Sequence, residues 1–102
     1  MSDQSSIVIR LDEEMQAIVP KYLGNRARDC DTIRDQAANG DFIDAKRLGH
    51  NMKGTGSGYG FEEISRLGAQ IEAAAAAGEA DRLVQLADEL AQYLARVKPV
   101  YA

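Results

Sequence analysis

The sequence is poor in the residues from which crosslinked scaffolds and metal centres are built. A single cysteine, Cys30, leaves no partner for an internal disulfide. One histidine, His50, together with that cysteine supplies too few ligands for a structural zinc site. Tryptophan is absent, aromatics make up 6% and proline occurs twice, while alanine comes in blocks; the balance favours helix over sheet. No apolar run approaches the roughly 20 residues of a membrane-spanning helix. The polar, acidic N-terminus is unlike a signal peptide, so the expected compartment is the cytoplasm. Twelve Lys and Arg against sixteen Asp and Glu give a net charge of −4, without the cationic surplus that a nucleic-acid binder needs.

At 102 residues, 45% of them apolar and 27% charged, the chain suits one domain able to bury its own core. Met1 to Ser6 are small and polar and are expected to be disordered. Leu11, Met15 and Ile18 fall at i, i+4 and i+7, the stripe of a short first helix. Pro20 suits the first turn of a second helix, whose apolar face is Leu23, Ala27, Cys30, Ile33 and Ala37. Asn39-Gly40 ends it, and Asp41 is placed to cap a third helix carrying Phe42, Ala45, Leu48, Met52 and Tyr59 inward. A fourth helix from Phe61 has Ile64, Leu67, Gly68, Ile71 and Ala75 on one stripe and stops at Gly78. A fifth, from about Asp81, carries Leu83, Leu86, Leu90, Tyr93 or Leu94, and Val97 inward and ends at Pro99. No segment alternates with period two over a convincing length, so no sheet is expected. These stripes and short connections predict an all-α fold, an antiparallel four-helix bundle with a short extra N-terminal helix.

On a wheel of about 100° per residue, Leu48, Ala45, Met52 and Tyr59 set the core direction of the third helix near 40°. His50 then falls near 200°, opposite the core, with Lys46, Lys53 and Ser57 at about 140–180° and Gly54 near 240°. The imidazole therefore projects outward from a convex surface. Hydrolase chemistry needs a nucleophile, a base and an orienting group converging in a pocket, and no such set is visible. Cys30 lies on an apolar face of another helix and reads as a small buried hydrophobe. An outward imidazole does suit a nucleophile that enters another protein's active site. Free imidazole is largely unprotonated at neutral pH, leaving one ring nitrogen able to attack. Lys53 at i+3 can hold a phosphoryl dianion. Gly54 at i+4 removes a side chain beside the ring, at a helix-propensity cost of about 1 kcal/mol. Gly49 and Gly56 are better explained by tight helix packing.

The stretch Gly49-His50-Asn51-Met52-Lys53-Gly54-Thr55-Gly56-Ser57-Gly58-Tyr59-Gly60-Phe61 resembles the histidine-containing phosphotransfer (HPt) domain. His50, Met52, Lys53, Gly54, Thr55, Gly56, Tyr59 and Gly60 meet that family's pattern. The turn Asn39-Gly40-Asp41-Phe42 and the following Ile64, Leu67 and Ile71-Glu72 agree with its flanks. Gly49 stands where alanine is common and Met52 where leucine is usual. The resemblance implies a phosphorelay intermediate. His50 would accept a phosphoryl group, through Nε2, from an aspartyl phosphate on a receiver domain and pass it to another receiver's aspartate. Lys53 would be the electrostatic helper and Gly54 the access residue, with Lys46, Arg47, Asn51 and Ser57 as a docking rim. The chain would be a carrier without a cofactor of its own, Mg²⁺ belonging to the receiver. Its partners would be response-regulator receivers and a hybrid histidine kinase, with no nucleic acid or membrane. A free-standing monomer is expected. The alternative is a helical adaptor that binds a receiver or kinase without phosphotransfer.

Overall fold

The computed structural model describes residues 6–102. The expected disorder of Met1 to Ser6 falls almost wholly on residues 1–5, outside the described residues; Ser6 is exposed and irregular. Four helices make up the body: α1 (Val19–Asn39), α2 (Ile43–Thr55), α3 (Glu62–Ala76) and α4 (Ala80–Arg96). Their order and stops follow the punctuation of the sequence. Pro20 lies in the first turn of α1, where no amide donor is required. Gly40, Gly60 and Gly78 each close a helical segment at positive φ, a conformation costly for any residue with a Cβ.

Side-chain contacts fix the antiparallel arrangement. Tyr22, near the start of α1, bonds Thr55 at the end of α2, and Gln36, near the end of α1, bonds the start of α2. Arg82 of α4 reaches Gln70 of α3, and Arg34 of α1 reaches Asp88 of α4. The core between the helices holds Val19, Ile33, Met52, Phe61, Ile64, Leu67, Ile71, Leu83, Leu86 and Leu90, all without solvent exposure. No polar or charged residue is fully buried among the described residues, so the core itself is apolar.

Several boundaries differ from the expectation. Phe42, not Asp41, is the residue that precedes α2; Asp41 Oδ1 accepts from the Ile43 amide at 3.3 Å. The Ala45 amide donates instead to Gln36 Oε1 at 2.7 Å, a cap supplied by the preceding helix. Tyr22, absent from the expected apolar face of α1, is buried, whereas Ala27 is exposed. Tyr22 stacks on Tyr59 with ring centroids 4.1 Å apart. Tyr59 lies beyond the end of α2, in a short 3-10 turn (Ser57–Tyr59).

The expectation of no sheet is corrected. β1 (Ile7–Leu11) and β2 (Val97–Tyr101) pair in parallel, Ile7 against Val97 through Leu11 against Tyr101. The N-terminal helical piece is correspondingly shorter, a 3-10 turn over Glu13–Ala17 capped by Asp12 Oδ1. The helix α4 ends at Arg96, and Pro99 sits inside β2 rather than terminating the helix. Pro99 is tolerated there for a geometric reason. The Ala102 amide donates to the Leu11 carbonyl at 3.1 Å. With a period of two, the amides of Val100 and Lys98 also face β1, so Pro99 occupies the outward position that needs no donor. Two five-residue strands about ninety positions apart in sequence leave no local hairpin signal.

Candidate functional site

His50 lies midway along α2, and its side chain retains 68% exposure, as the wheel requires. It is not unpartnered. His50 Nδ1 lies 3.0 Å from Glu72 Oε2 of α3. Lys53 Nζ lies 3.7 Å from the other oxygen of the same carboxylate, Oε1. A carboxylate only accepts, so Nδ1 is the nitrogen that donates in this bond, and in the neutral ring the lone pair then lies on Nε2, across the ring. The Glu72 side chain is 24% exposed, which places this bridge at the edge of the bundle rather than in open solvent.

Glycine packing is what brings Glu72 within reach. A Cβ on Gly49 would stand 2.5 Å from the Glu72 amide nitrogen and 2.8 Å from the Gly68 carbonyl oxygen. A Cβ on Gly68 would stand 2.5 Å from the Lys53 amide nitrogen. The backbones of α2 and α3 therefore cross in contact at a glycine pair. His50 follows Gly49 directly, and Glu72 is one turn beyond Gly68, so their side chains meet on the rim of that crossing. Gly56 is a second contact, with a virtual Cβ 2.5 Å from the Ser65 amide nitrogen. Ser65 Oγ accepts from the Ser57 amide at 2.8 Å and donates to the Met52 carbonyl at 3.4 Å, closing the end of α2. By contrast, a Cβ on Gly54 would meet nothing within 4 Å.

The remaining expected residues divide. Lys46, His50, Lys53 and Gly54 share the outward stripe of α2, and Asn51 is exposed beside them. Arg47 turns toward its own helix's Asp44, at 3.4 Å. Ser57 is exposed but committed to Ser65 through both its amide and its hydroxyl. On the α1 side of α2, Thr55 Oγ1 donates to the Asn51 carbonyl and so receives the Tyr22 hydroxyl proton, each at 2.8 Å. Arg26 covers the Tyr22 ring 4.6 Å from its centroid and pairs with Asp29 at 2.8 Å. Burial pushes the Asp29 carboxyl above its ordinary range, opposed by Arg26. Cys30 is buried and its thiol is pushed up to about 11 by desolvation, which makes it a poor nucleophile. No cluster of three or more His, Cys, Asp or Glu that could hold a metal ion is present among the described residues.

The fold and the site thus define a helical bundle that presents one imidazole on its surface, oriented by a carboxylate and flanked by lysines. The model of the Hpt domain family matches residues 10–99, and the chain belongs to that family. Its members are phosphoryl carriers of two-component phosphorelays, which interact with receiver domains and kinases. Neither the comparison with curated proteins nor that with solved structures returns a match. No helix among the described residues is long and apolar enough to cross a membrane.

Glu72 is the residue that sequence reasoning missed as a site member. Its sequence signals are its place after Ile71, one turn beyond Gly68, and the agreement of Ile71-Glu72 with the family's flanking pattern.

Proposed function

We propose that His50 is the phosphoacceptor of a phosphorelay, charged from an aspartyl phosphate on one receiver domain and discharged to the aspartate of another. The observation that carries this reading is the bond from His50 Nδ1 to Glu72, which directs the Nε2 lone pair away from the bundle on a largely exposed ring. In the forward step Nε2 attacks phosphorus, the P–N bond forms, and the P–O bond to the aspartate breaks, releasing its carboxylate. The imidazole gains positive charge as it takes the phosphoryl group. The Nδ1 proton stays in place, and Glu72 stabilises that charge across 3.0 Å. The return step runs the same bonds in reverse toward a second aspartate, so no proton has to leave the ring.

Lys53 supplies a cation one turn from His50, able to leave Glu72 for a phosphoryl oxygen. Open space at Gly54 admits the partner's loops beside the ring. The receiver brings the Mg²⁺ that neutralises charge on the phosphoryl oxygens. This chain contributes a nucleophile held in place and in one tautomer. Lys46, Arg47, Asn51 and Ser57 form the rim that meets the receiver.

Incubation with a phosphorylated receiver and Mg²⁺ tests the reading. Acid-labile, base-stable label on the wild type and none on His50→Gln is the expected result. Tight binding of receiver with no label on either protein would instead establish an adaptor.

A further inference from the structure

The two terminal strands form a sheet whose edges are unlike. The Ala102 amide donates to the Leu11 carbonyl, so Ile7, Ile9 and Leu11 turn their backbone polar groups toward β2. By the same alternation Val8 and Arg10 turn theirs away from β2, to the outer edge of β1, and among the described residues nothing hydrogen-bonds to them. The outer edge of β2 is closed. Its outward positions are Val97, Pro99 and Tyr101, and Pro99 at the centre has no amide to offer a further strand. The sheet therefore has one edge able to pair. Its faces are also unlike: Ile7, Ile9 and Leu11 pack against the core, while Val8 is 51% exposed on the other side.

We propose that the open edge of β1 pairs with the same edge of a second copy, so that two chains share one four-stranded sheet in the order β2-β1-β1-β2. An antiparallel pair of identical edges is isologous, and it closes at two copies because both remaining edges carry Pro99. A two-stranded sheet is marginal by itself, whereas four strands is an ordinary size. The side chains on the exposed face decide the register. They are Val8 and Arg10 of β1 with Lys98 and Val100 of β2; Asp12, Glu13 and Glu14 follow the strand. Centring the pair on Arg10 opposes two guanidinium groups, which is destabilising. Centring it on Ile9 sets Val8 against an arginine. Centring it on Val8 sets Val8 against the second copy's Val8 and Arg10 against its Ser6, which covers the one exposed apolar side chain of β1. In that register the two Arg10 residues stand about 14 Å apart along the strands and the two Lys98 residues about 14 Å apart across them, beyond the screening length of about 8 Å at physiological salt. On the inner face Ile7 meets the second copy's Ile9, which extends the apolar side of the sheet.

Sedimentation velocity on the full chain from about 10 µM to about 1 mM tests the pairing, the range in which a contact below about 1,200 Å² acts. The wild type is expected to pass from monomer to dimer and stop there, and the Val8 and Arg10 amides to slow in hydrogen exchange as the dimer forms. Val8→Lys opposes two ammonium groups at the two-fold axis and is expected to weaken the dimer at least about tenfold. The position is exposed, so the monomer's melting curve stays that of the wild type. Val8→Pro removes the outward amide, as Pro99 does on β2, and is expected to weaken the dimer likewise. Val8→Ile retains it. A wild type that stays monomeric up to about 1 mM overturns the proposal. So does a dimer that Val8→Lys leaves intact, which would lie on another face, or an assembly that grows past two copies. Val8→Lys touches no backbone group and decides the matter should Val8→Pro unfold.

Discussion

Gly49 and Gly54 are five residues apart on one helix, and alanine should act on them with opposite sign. At Gly49 the new Cβ would lie 2.5 Å from the Glu72 amide nitrogen and 2.8 Å from the Gly68 carbonyl oxygen. Both are backbone atoms of α3, so no side chain can swing aside. Ordinary contact begins near 3.4 Å, so the two helices must separate by about 0.9 Å. Overpacking costs about 1–3 kcal/mol, and two contacts this short with unyielding backbone put Gly49 in the upper part of that range, about 2–3 kcal/mol. The better helix propensity of alanine returns about 1 kcal/mol. The net is a loss of about 1–2 kcal/mol, or a fall in Tm of roughly 5–15 °C for a domain of this size. At Gly54 the Cβ meets nothing, and only the propensity term survives. Gly54→Ala should therefore stabilise by about 0.5–1 kcal/mol and raise Tm by several degrees. Circular-dichroism melts and urea titrations of both variants, at the same pH and salt, measure the difference. A Gly49→Ala protein as stable as the wild type would refute the glycine crossing, and with it the account of how Glu72 reaches His50.

Four further outcomes follow from the site. Gly54→Leu should fold normally yet lose transfer from a receiver, because the side chain fills the approach beside His50; retained transfer would disprove the access role. Lys53→Ala should slow transfer about tenfold with an unchanged melting curve, since its ammonium group is exposed; an unaltered rate in a stopped-flow or label-transfer assay would remove Lys53 from the chemistry. Glu72→Ala removes a charge-assisted hydrogen bond of about 1.5 kcal/mol. Imidazole ¹⁵N spectra should then show loss of the Nδ1–H tautomer preference, and a preference unchanged from wild type would show that Glu72 does not set it. For Cys30 the sign follows from a thiol held above its ordinary value. The native state favours the neutral form, so its contribution is complete below about pH 9 and is lost as the pH rises toward about 11. The wild type should lose stability relative to Cys30→Ala across that window, by at most about 3 kcal/mol; parallel pH profiles would count against the buried thiol.

The helices were legible in the sequence because their signals are local. Apolar periodicity, Pro20 at a helix start and glycines at helix ends act within a few residues, through backbone sterics that need no partner. The same holds for His50 and Lys53, whose outward direction follows from helical geometry alone. The terminal strands, Tyr22 in the core and the Gln36 cap on α2 were not legible. Each depends on a contact between residues far apart in sequence or on a neighbouring helix.

What the sequence by itself determined is the presence of four helices and of one imidazole facing away from their core. Only the tertiary structure decided what that imidazole touches. Two glycines let α2 and α3 meet backbone to backbone, and this contact carries Glu72 to within hydrogen-bonding distance of Nδ1. The direction of a side chain is set by its own helix, whereas its partner is set by how closely a second helix can approach.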